Sequence, residues 1–315
     1  MEVASWLSDW VALRAADLAP RTVESYKSLI RLHIAPALEG LDLAMCRPDR
    51  LQALLADLCR DGHARTAELC YILLRAALAD AVQAGYLAET PANHLVRPSH
   101  RPARPRWWSE AELQAFVAAT ASSRWGVAWV LALACGLRRG ELAGLRWSDV
   151  DLAAGQLHIC NQRQRITGLG VIDVPPKSAA GVRDIPIVDP LPDILRAELR
   201  RQRAACDGGC ACLPAYVVAT RDNRPIDPHA LNRALSRDIA RAGLRPINVH
   251  GLRHTMATAA ITEDVSIKVL QTLLGHAHYT TTADIYAHVA DRKARAAAAV
   301  VAKTLFMPGL AQSVT

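Results

Sequence analysis

Apolar residues recur at helical spacing through the first third of the chain. Leu7, Trp10 and Val11, followed by Arg14, mark one segment, and Val23, Tyr26, Leu29, Ile30 and Ile34 mark a second. From Pro48, the residues Leu51, Leu54, Leu55 and Leu58 share one face, with proline in the first turn, where a helix loses no hydrogen bond. A further run from Thr66 through Leu69, Leu73, Ala76 and Ala77 ends at Gly85, which suits a left-handed C-terminal cap. Residues 1–96 therefore predict four or five helices in a compact bundle. The pattern breaks at Arg97–Arg106, where RPSHRPARPR holds three prolines, four arginines and a single apolar residue, Ala103. Proline keeps such a stretch extended, so 97–106 is expected to be a basic linker between two domains.

The second domain, 107–315, opens on Ser109-Glu110-Ala111-Glu112, a capping-box pattern ahead of Leu113, Phe116 and Val117. An apolar helix is predicted from Trp125 to Cys135, ended by Gly136. Short strands are predicted at Gln156–Cys160, Val171–Val174 and Arg183–Val188, punctuated by Gly and Pro as in a small antiparallel sheet. From Pro190 the spacing is helical again, interrupted by a brief apolar run at Tyr216–Ala219. The fold class expected is mainly α with a small antiparallel β-sheet.

Composition changes this picture in three ways. No run approaches the ~20 apolar residues that span a bilayer. The segment Met1–Trp10 carries Glu2 and Asp9 and lacks a basic start, which argues against a secretory signal and for a cytoplasmic protein. The formal net charge is +7 and arises almost wholly from arginine, the lysines being Lys27, Lys177, Lys268, Lys293 and Lys303 alone. Such a balance suits a polyanion, because Arg and Lys displace counterions from phosphates. An arginine-rich coding bias accounts for it equally well. Of the eight cysteines, only Cys206, Cys210 and Cys212 cluster, in CDGGCAC. That spacing matches no common zinc module and has no evident fourth ligand, so it reads as a Gly-rich loop and no metal is assigned.

Four patches carry reactive residue types. In Ala134-Cys135-Gly136-Leu137-Arg138-Arg139-Gly140-Glu141-Leu142, a glycine ends a helix and Arg138 follows at once. Its planar fork there can meet a phosphate while Glu141 steadies it, although most Arg/Glu pairs are surface salt bridges. Lys177 opens Lys177-Ser178-Ala179-Ala180-Gly181-Val182-Arg183-Asp184-Ile185-Pro186, which reads as a hairpin turning around Ala180-Gly181. It offers a proton donor where the chain otherwise prefers arginine. In His250-Gly251-Leu252-Arg253-His254, a spacing of three sets His250 and Arg253 on one helical face, with His254 pointing elsewhere. Finally, Gly275 caps a helix so that His276 falls in a turn, and Thr280 to Thr282 offer N-caps for a helix that carries Tyr286. An isolated Tyr in such a stretch is ordinarily a core aromatic.

Together, in this order, the patches resemble the tyrosine recombinase (phage integrase) family. The family's T-G-L-R-x-x-E-L segment is matched at Ala134 to Leu142, with Cys135 in place of threonine. Its hairpin lysine before R-x-I-P is matched by Lys177 and Arg183 to Pro186, and its H-x-L-R-H-T by His250 to Thr255. Its L-G-H and T-T-x-x-x-Y-x-H-V are matched at Leu274 to His276 and Thr281 to Val289. Pro20 to Tyr26 also resembles the start of the family's core-binding domain. The resemblance covers nearly the whole chain and implies an N-terminal helical core-binding (SAM-like) domain followed by a catalytic domain, the two clamping a duplex.

It further implies a DNA strand-breaking and rejoining enzyme. Tyr286 would be the nucleophile, Arg138 and Arg253 would grip the phosphate, and Lys177 would be the general acid. His250 would assist proton transfer, His276 would hydrogen-bond the phosphate, and Glu141 would support Arg138. No cofactor or metal is implied. The partners implied are double-stranded DNA recombination sites, further copies of the chain as a homotetramer on synapsed DNA, and accessory DNA-bending or directionality proteins. The setting implied is the bacterial cytoplasm and a mobile genetic element. A catalytically inactive DNA-binding regulator with the same fold is the alternative. Type IB topoisomerases and telomere resolvases share the chemistry, but the short length and the integrase-like N-terminal helices argue against them. Two departures stand out. The chain begins too near the core-binding region for an extra arm-binding domain, and Cys206–Cys212 reads as an insertion.

Overall fold

The computed structural model describes residues 1–100, 106–205 and 214–275. The chain separates into two compact units, Met1–Arg104 with Ile166–Gly168, and Pro105–Arg165 with Leu169–Thr315.

The first unit is helical: α1 (Val3–Leu13), α2 (Pro20–Leu29), a short α3 (Ala35–Ala37), α4 (Pro48–Arg60) and α5 (Ala64–Gln83). One wider turn at Ile30–Ile34 carries α2 into α3. Leu51, Leu54, Leu55 and Leu58 of α4 are all buried, as their spacing requires. They meet the inward face of α5, where Leu73, Leu74, Ala77 and Leu78 are inaccessible to solvent. The indole Nε1 groups of Trp6 and Trp10 donate to the Ala77 carbonyl at 3.0 Å and to Asp80 at 2.7 Å, which fixes α1 on α5. After α5, Gly85 adopts φ +79°, and its N–H and that of Tyr86 return to the Val82 and Ala81 carbonyls. Left-handed glycine closes the helix there.

The second unit holds α6 (Glu110–Thr120), α7 (Gly126–Ala134), α8 (Arg139–Gly144), α9 (Leu191–Ala204), α10 (Pro228–Arg241), α11 (Val249–Thr262) and α12 (Ile267–Leu274). The capping box at Ser109 and Glu112 forms as predicted. Strands β1 (Val150–Asp151), β2 (Gln156–Ile159) and β5 (Arg183–Pro186) make an antiparallel sheet in the order β1-β2-β5. Alternation sends Leu157, Ile159 and Ile185 into a core shared with Trp129, Leu131 and Leu252. A separate two-stranded ribbon pairs β3 (Gln162–Ile166) with β4 (Gly170–Val174). Small residues on α8 let this ribbon approach. A Cβ on Gly140 would stand 3.0 Å from the Arg163 carbonyl, and one on Gly144 would stand 3.0 Å from the Gln162 Cα.

One expectation is corrected. The Lys177 segment is not a hairpin turning at Ala180-Gly181, because β4 pairs with β3 while β5 pairs with β2. Pro175 and Pro176 lack the N–H groups that would extend β4 toward β5. The stretch between them is a crossing from one sheet to the other, tightened by a 3₁₀ turn at Ala179–Gly181.

Candidate active site

The site is built where two helices end. Cys135 terminates α7, and Gly136 follows at φ +61°. Only glycine fits, since a Cβ there would lie 2.7 Å from the Leu274 side chain. Helix α12 ends the same way on Gly275, at φ +62°. A Cβ on Gly275 would meet the Ala180 carbonyl at 2.7 Å and the Arg183 guanidinium at 3.0 Å. Helix C-termini leave carbonyls without partners inside the helix, and three arginines supply the donors.

Arg253, on α11, donates through Nη1 to the Gly136 carbonyl and through Nη2 to the Leu274 carbonyl, both at 2.6 Å. Arg138 precedes α8 in extended conformation and donates through Nη2 to the Gly275 carbonyl at 2.7 Å. Arg183, at the start of β5, donates through Nε to the Leu273 carbonyl at 2.7 Å. Glu141 sits between Arg138 and Arg183. Its carboxylate accepts from the Arg138 backbone N–H at 2.8 Å and from Arg138 Nη1 at 2.7 Å. It also accepts from Arg183 Nη1 at 3.1 Å and Nη2 at 3.0 Å.

Electrostatics follow from burial. Glu141 is 2% exposed. Burial by itself would favour the neutral acid, but the hydrogen bonds and charges of Arg183 and Arg138 outweigh it and hold the carboxyl below its usual range. Arg253 is also 2% exposed, and desolvation, with Arg138 nearby, pushes its guanidinium down to about 9, still charged at neutral pH. The Arg138 side chain is 32% exposed and is the open member of the set. Each guanidinium has five N–H bonds. The bonds described use two on Arg138 and two on Arg253, leaving donors for a further anion, while Arg183 uses four.

His250 and Arg253 share α11, which Asn248 caps by accepting from the Gly251 N–H at 2.8 Å. The His250 residue is exposed, yet it stands among many protein atoms. That desolvation, with His254, Arg253 and Arg138, pushes the imidazole down to about 4, so it is neutral at pH 7. His254 does not point elsewhere as the sequence suggested. Its ring meets that of His250 edge-on at 4.6 Å, as residues four apart on a helix do. Lys177 is exposed on the β4–β5 crossing. Its loop is held to the cluster by Arg183 Nη1, which donates to the Gly181 carbonyl at 3.0 Å, and by the approach of Ala180 to Gly275.

Of the residues singled out in the sequence, Arg138, Glu141 and Arg253 are thus brought together, His250 stands on the same helix as Arg253, and Lys177 lies on the adjoining loop. His276 and Tyr286 lie outside the described residues, as do Cys206, Cys210 and Cys212. The reading of single patches missed Arg183. The signal was an arginine opening a strand whose next inward residue is Ile185.

The model of the phage integrase family matches residues 106–293, more than half of the chain. The chain is 27% identical to a XerC-like tyrosine recombinase of Caldanaerobacter subterraneus subsp. tengcongensis, over 92% of this chain and 78% of that one. It is 23% identical to an integrase of Saccharopolyspora erythraea, over 92% and 79%. In fold it is similar to the Tn1549 transposon integrase in complex with transposon right end DNA, with TM-score 0.79 and 20% identity over 97% of this chain and 99% of that one. It is also similar to a lambda integrase tetramer bound to a Holliday junction, with TM-score 0.67 and 22% identity over 90% and 77%. The chain belongs to the phage integrase family of tyrosine recombinases.

Proposed function

We propose that the protein is a site-specific DNA recombinase that breaks and rejoins DNA strands through a 3′-phosphotyrosyl intermediate on Tyr286. One observation carries the reading: Arg138 and Arg253, far apart in the chain, meet at two helix ends with N–H donors to spare beside Glu141. Preorganised cations of this kind stabilise charge that develops on a phosphate during transfer. The Tyr286 hydroxyl attacks phosphorus, the Tyr O–P bond forms, and the bond from phosphorus to the 5′-oxygen breaks. Arg138 and Arg253 hold the non-bridging oxygens. Lys177 gives a proton to the departing 5′-oxygen, and neutral His250 takes up the proton that Tyr286 loses. His276 hydrogen-bonds the phosphate. The 5′-hydroxyl of a second duplex then reverses these steps, so the exchange conserves bond energy.

Residues 1–96 serve as a core-type DNA-binding domain, 97–106 as the linker and 107–315 as the catalytic domain. The substrate is a double-stranded recombination site, and the working assembly is a homotetramer on two synapsed sites in the bacterial cytoplasm, with accessory DNA-bending or directionality proteins. The DNA complex of the Tn1549 transposon integrase supports the duplex substrate, and the lambda integrase tetramer on a Holliday junction supports the tetramer.

The test is covalent trapping. DNA recovered from the bound protein supplies the site, and a nicked version of it lets the cleaved fragment diffuse away. Wild type should give a protein–DNA adduct on a denaturing gel, Tyr286→Phe should bind without one, and Tyr279→Phe should behave as wild type. Specific binding by wild type with no adduct would select the non-cleaving regulator instead.

A further inference from the structure

Arg183 has no part in the reaction just described, yet it is the most completely bonded side chain of the cluster. Its side chain is 4% exposed. Four of its N–H bonds are used, by two oxygens of Glu141 and by the carbonyls of Leu273 and Gly181. Those three partners belong to three different segments. Glu141 holds Arg138, Gly181 closes the loop that carries Lys177, and Leu273 lies at the end of α12 just before His276. Little donor capacity remains for a phosphate.

We infer that Arg183 is a positioning residue for strand cleavage, setting Arg138 through Glu141 and Lys177 through the Pro176–Gly181 loop. The inference rests on reading the site as a strand-cleaving centre. The loop is tight enough to transmit the constraint. A Cβ on Gly181 would stand 2.5 Å from the Pro176 Cβ, so the segment flanking Lys177 folds directly onto the residue that Arg183 binds. A lysine at position 183 would keep the charge against Glu141 but could not span a carboxylate and two carbonyls in one plane. If charge balance were the whole role, Arg183→Lys would be harmless.

The experiment uses the full-length enzyme and three versions of the nicked site: ordinary DNA, DNA with sulfur as the bridging 5′ atom, and DNA with a neutral methylphosphonate at the scissile position. A thiolate leaves without a general acid, so the sulfur DNA relieves dependence on Lys177. The methylphosphonate carries no negative charge, so it relieves dependence on Arg138. Arg183→Lys should melt as a folded protein, bind the site nearly as wild type does, and cleave ordinary DNA about 10²-fold more slowly, the size of loss expected when a reacting group is displaced by about 1 Å. Each altered substrate should recover part of that loss. A fold that is merely weakened would not respond to the chemistry of the phosphate. Arg183→Gln, which keeps a bond to Glu141, should give the same pattern and stands in if the lysine variant does not fold. Cleavage of ordinary DNA near the wild-type rate, a loss that neither substrate relieves, or unfolding of both variants would each overturn the inference. Failure of wild type itself to form an adduct would instead overturn the recombinase reading.

Discussion

Replacing Glu141 by glutamine removes one oxygen and one charge from the centre of the site while keeping its shape. Oε1 accepts from Nη1 of Arg138 and Nη1 of Arg183, and Oε2 accepts from the Arg138 backbone N–H and Arg183 Nη2. An amide turned either way must point its NH₂ at two donors, so Arg183, almost wholly buried, loses its counter-charge and part of its hydrogen bonding. Breaking a buried ion pair by removing one partner costs about 3–5 kcal/mol. For a unit of this size each kcal/mol lowers Tm by roughly 2–4 °C, so the catalytic unit of Glu141→Gln should melt roughly 6–20 °C below wild type at pH 7. Because the folded pKa of Glu141 is depressed, its contribution is fully present above the unfolded value, about 4.3, and is lost as pH falls through the folded value. Glutamine cannot titrate there. The difference between the two melting curves, followed by circular dichroism, should therefore narrow below about pH 4. Melting within about 2 °C of wild type at neutral pH, or a difference that stays constant into acid, would refute the assignment of Glu141 as a buried, ionised partner of two arginines.

Arg138→Ala should slow adduct formation by ~10²–10³ with little effect on site binding, whereas its neighbour Arg139→Ala should not; equal defects would remove Arg138 from the reaction. Lys177→Arg should keep DNA affinity and lose most cleavage, because a guanidinium releases a proton too poorly, and sulfur at the 5′ position should restore it. Near wild-type cleavage of ordinary DNA by that variant would reject the general-acid role. In the DNA-free protein the His250 imidazole should titrate near 4 in an NMR pH series, and a midpoint near its ordinary value would contradict the desolvated environment described for it.

The helices were legible where burial has a period. The α4 face and the Gly85 cap follow from spacing and from the one residue that tolerates positive φ. Strand β3 was not legible, because Gln162-Arg163-Gln164-Arg165 shows no apolar alternation. The buried position within that run is Arg163, 8% exposed, whose guanidinium lies 5.0 Å from the Tyr216 ring centroid and 2.9 Å from Asp173. A buried arginine reads as polar in any pattern although its stem packs as apolar. The hairpin expected at Ala180-Gly181 failed for a related reason: neighbouring strands in sequence were assumed to pair, and β3 supplied the partner for β4 that the pattern had hidden. In the site, Arg138, Glu141 and Arg253 were found through motif order. Arg183 was passed over because its partners are mostly backbone carbonyls, which leave no mark in a sequence.

Those carbonyls explain how three guanidinium groups share one small volume. Each helix C-terminus carries about half a negative charge, so α7 and α12 together offset roughly one cation, and Glu141 offsets a second. About one positive charge remains uncompensated, which equals in size the single negative charge of a phosphodiester. A second carboxylate would cancel that remaining charge. The choice of arginine is geometric as well. Arg253 reaches carbonyls on two different helix ends with two nitrogens of one plane, which the single ammonium of lysine cannot do with the same directionality. The two left-handed glycines allow this, since they turn the chain at both helix ends and leave no Cβ against the Leu274 side chain or the Arg183 guanidinium. The net charge of the site is thus set by backbone ends as much as by side chains.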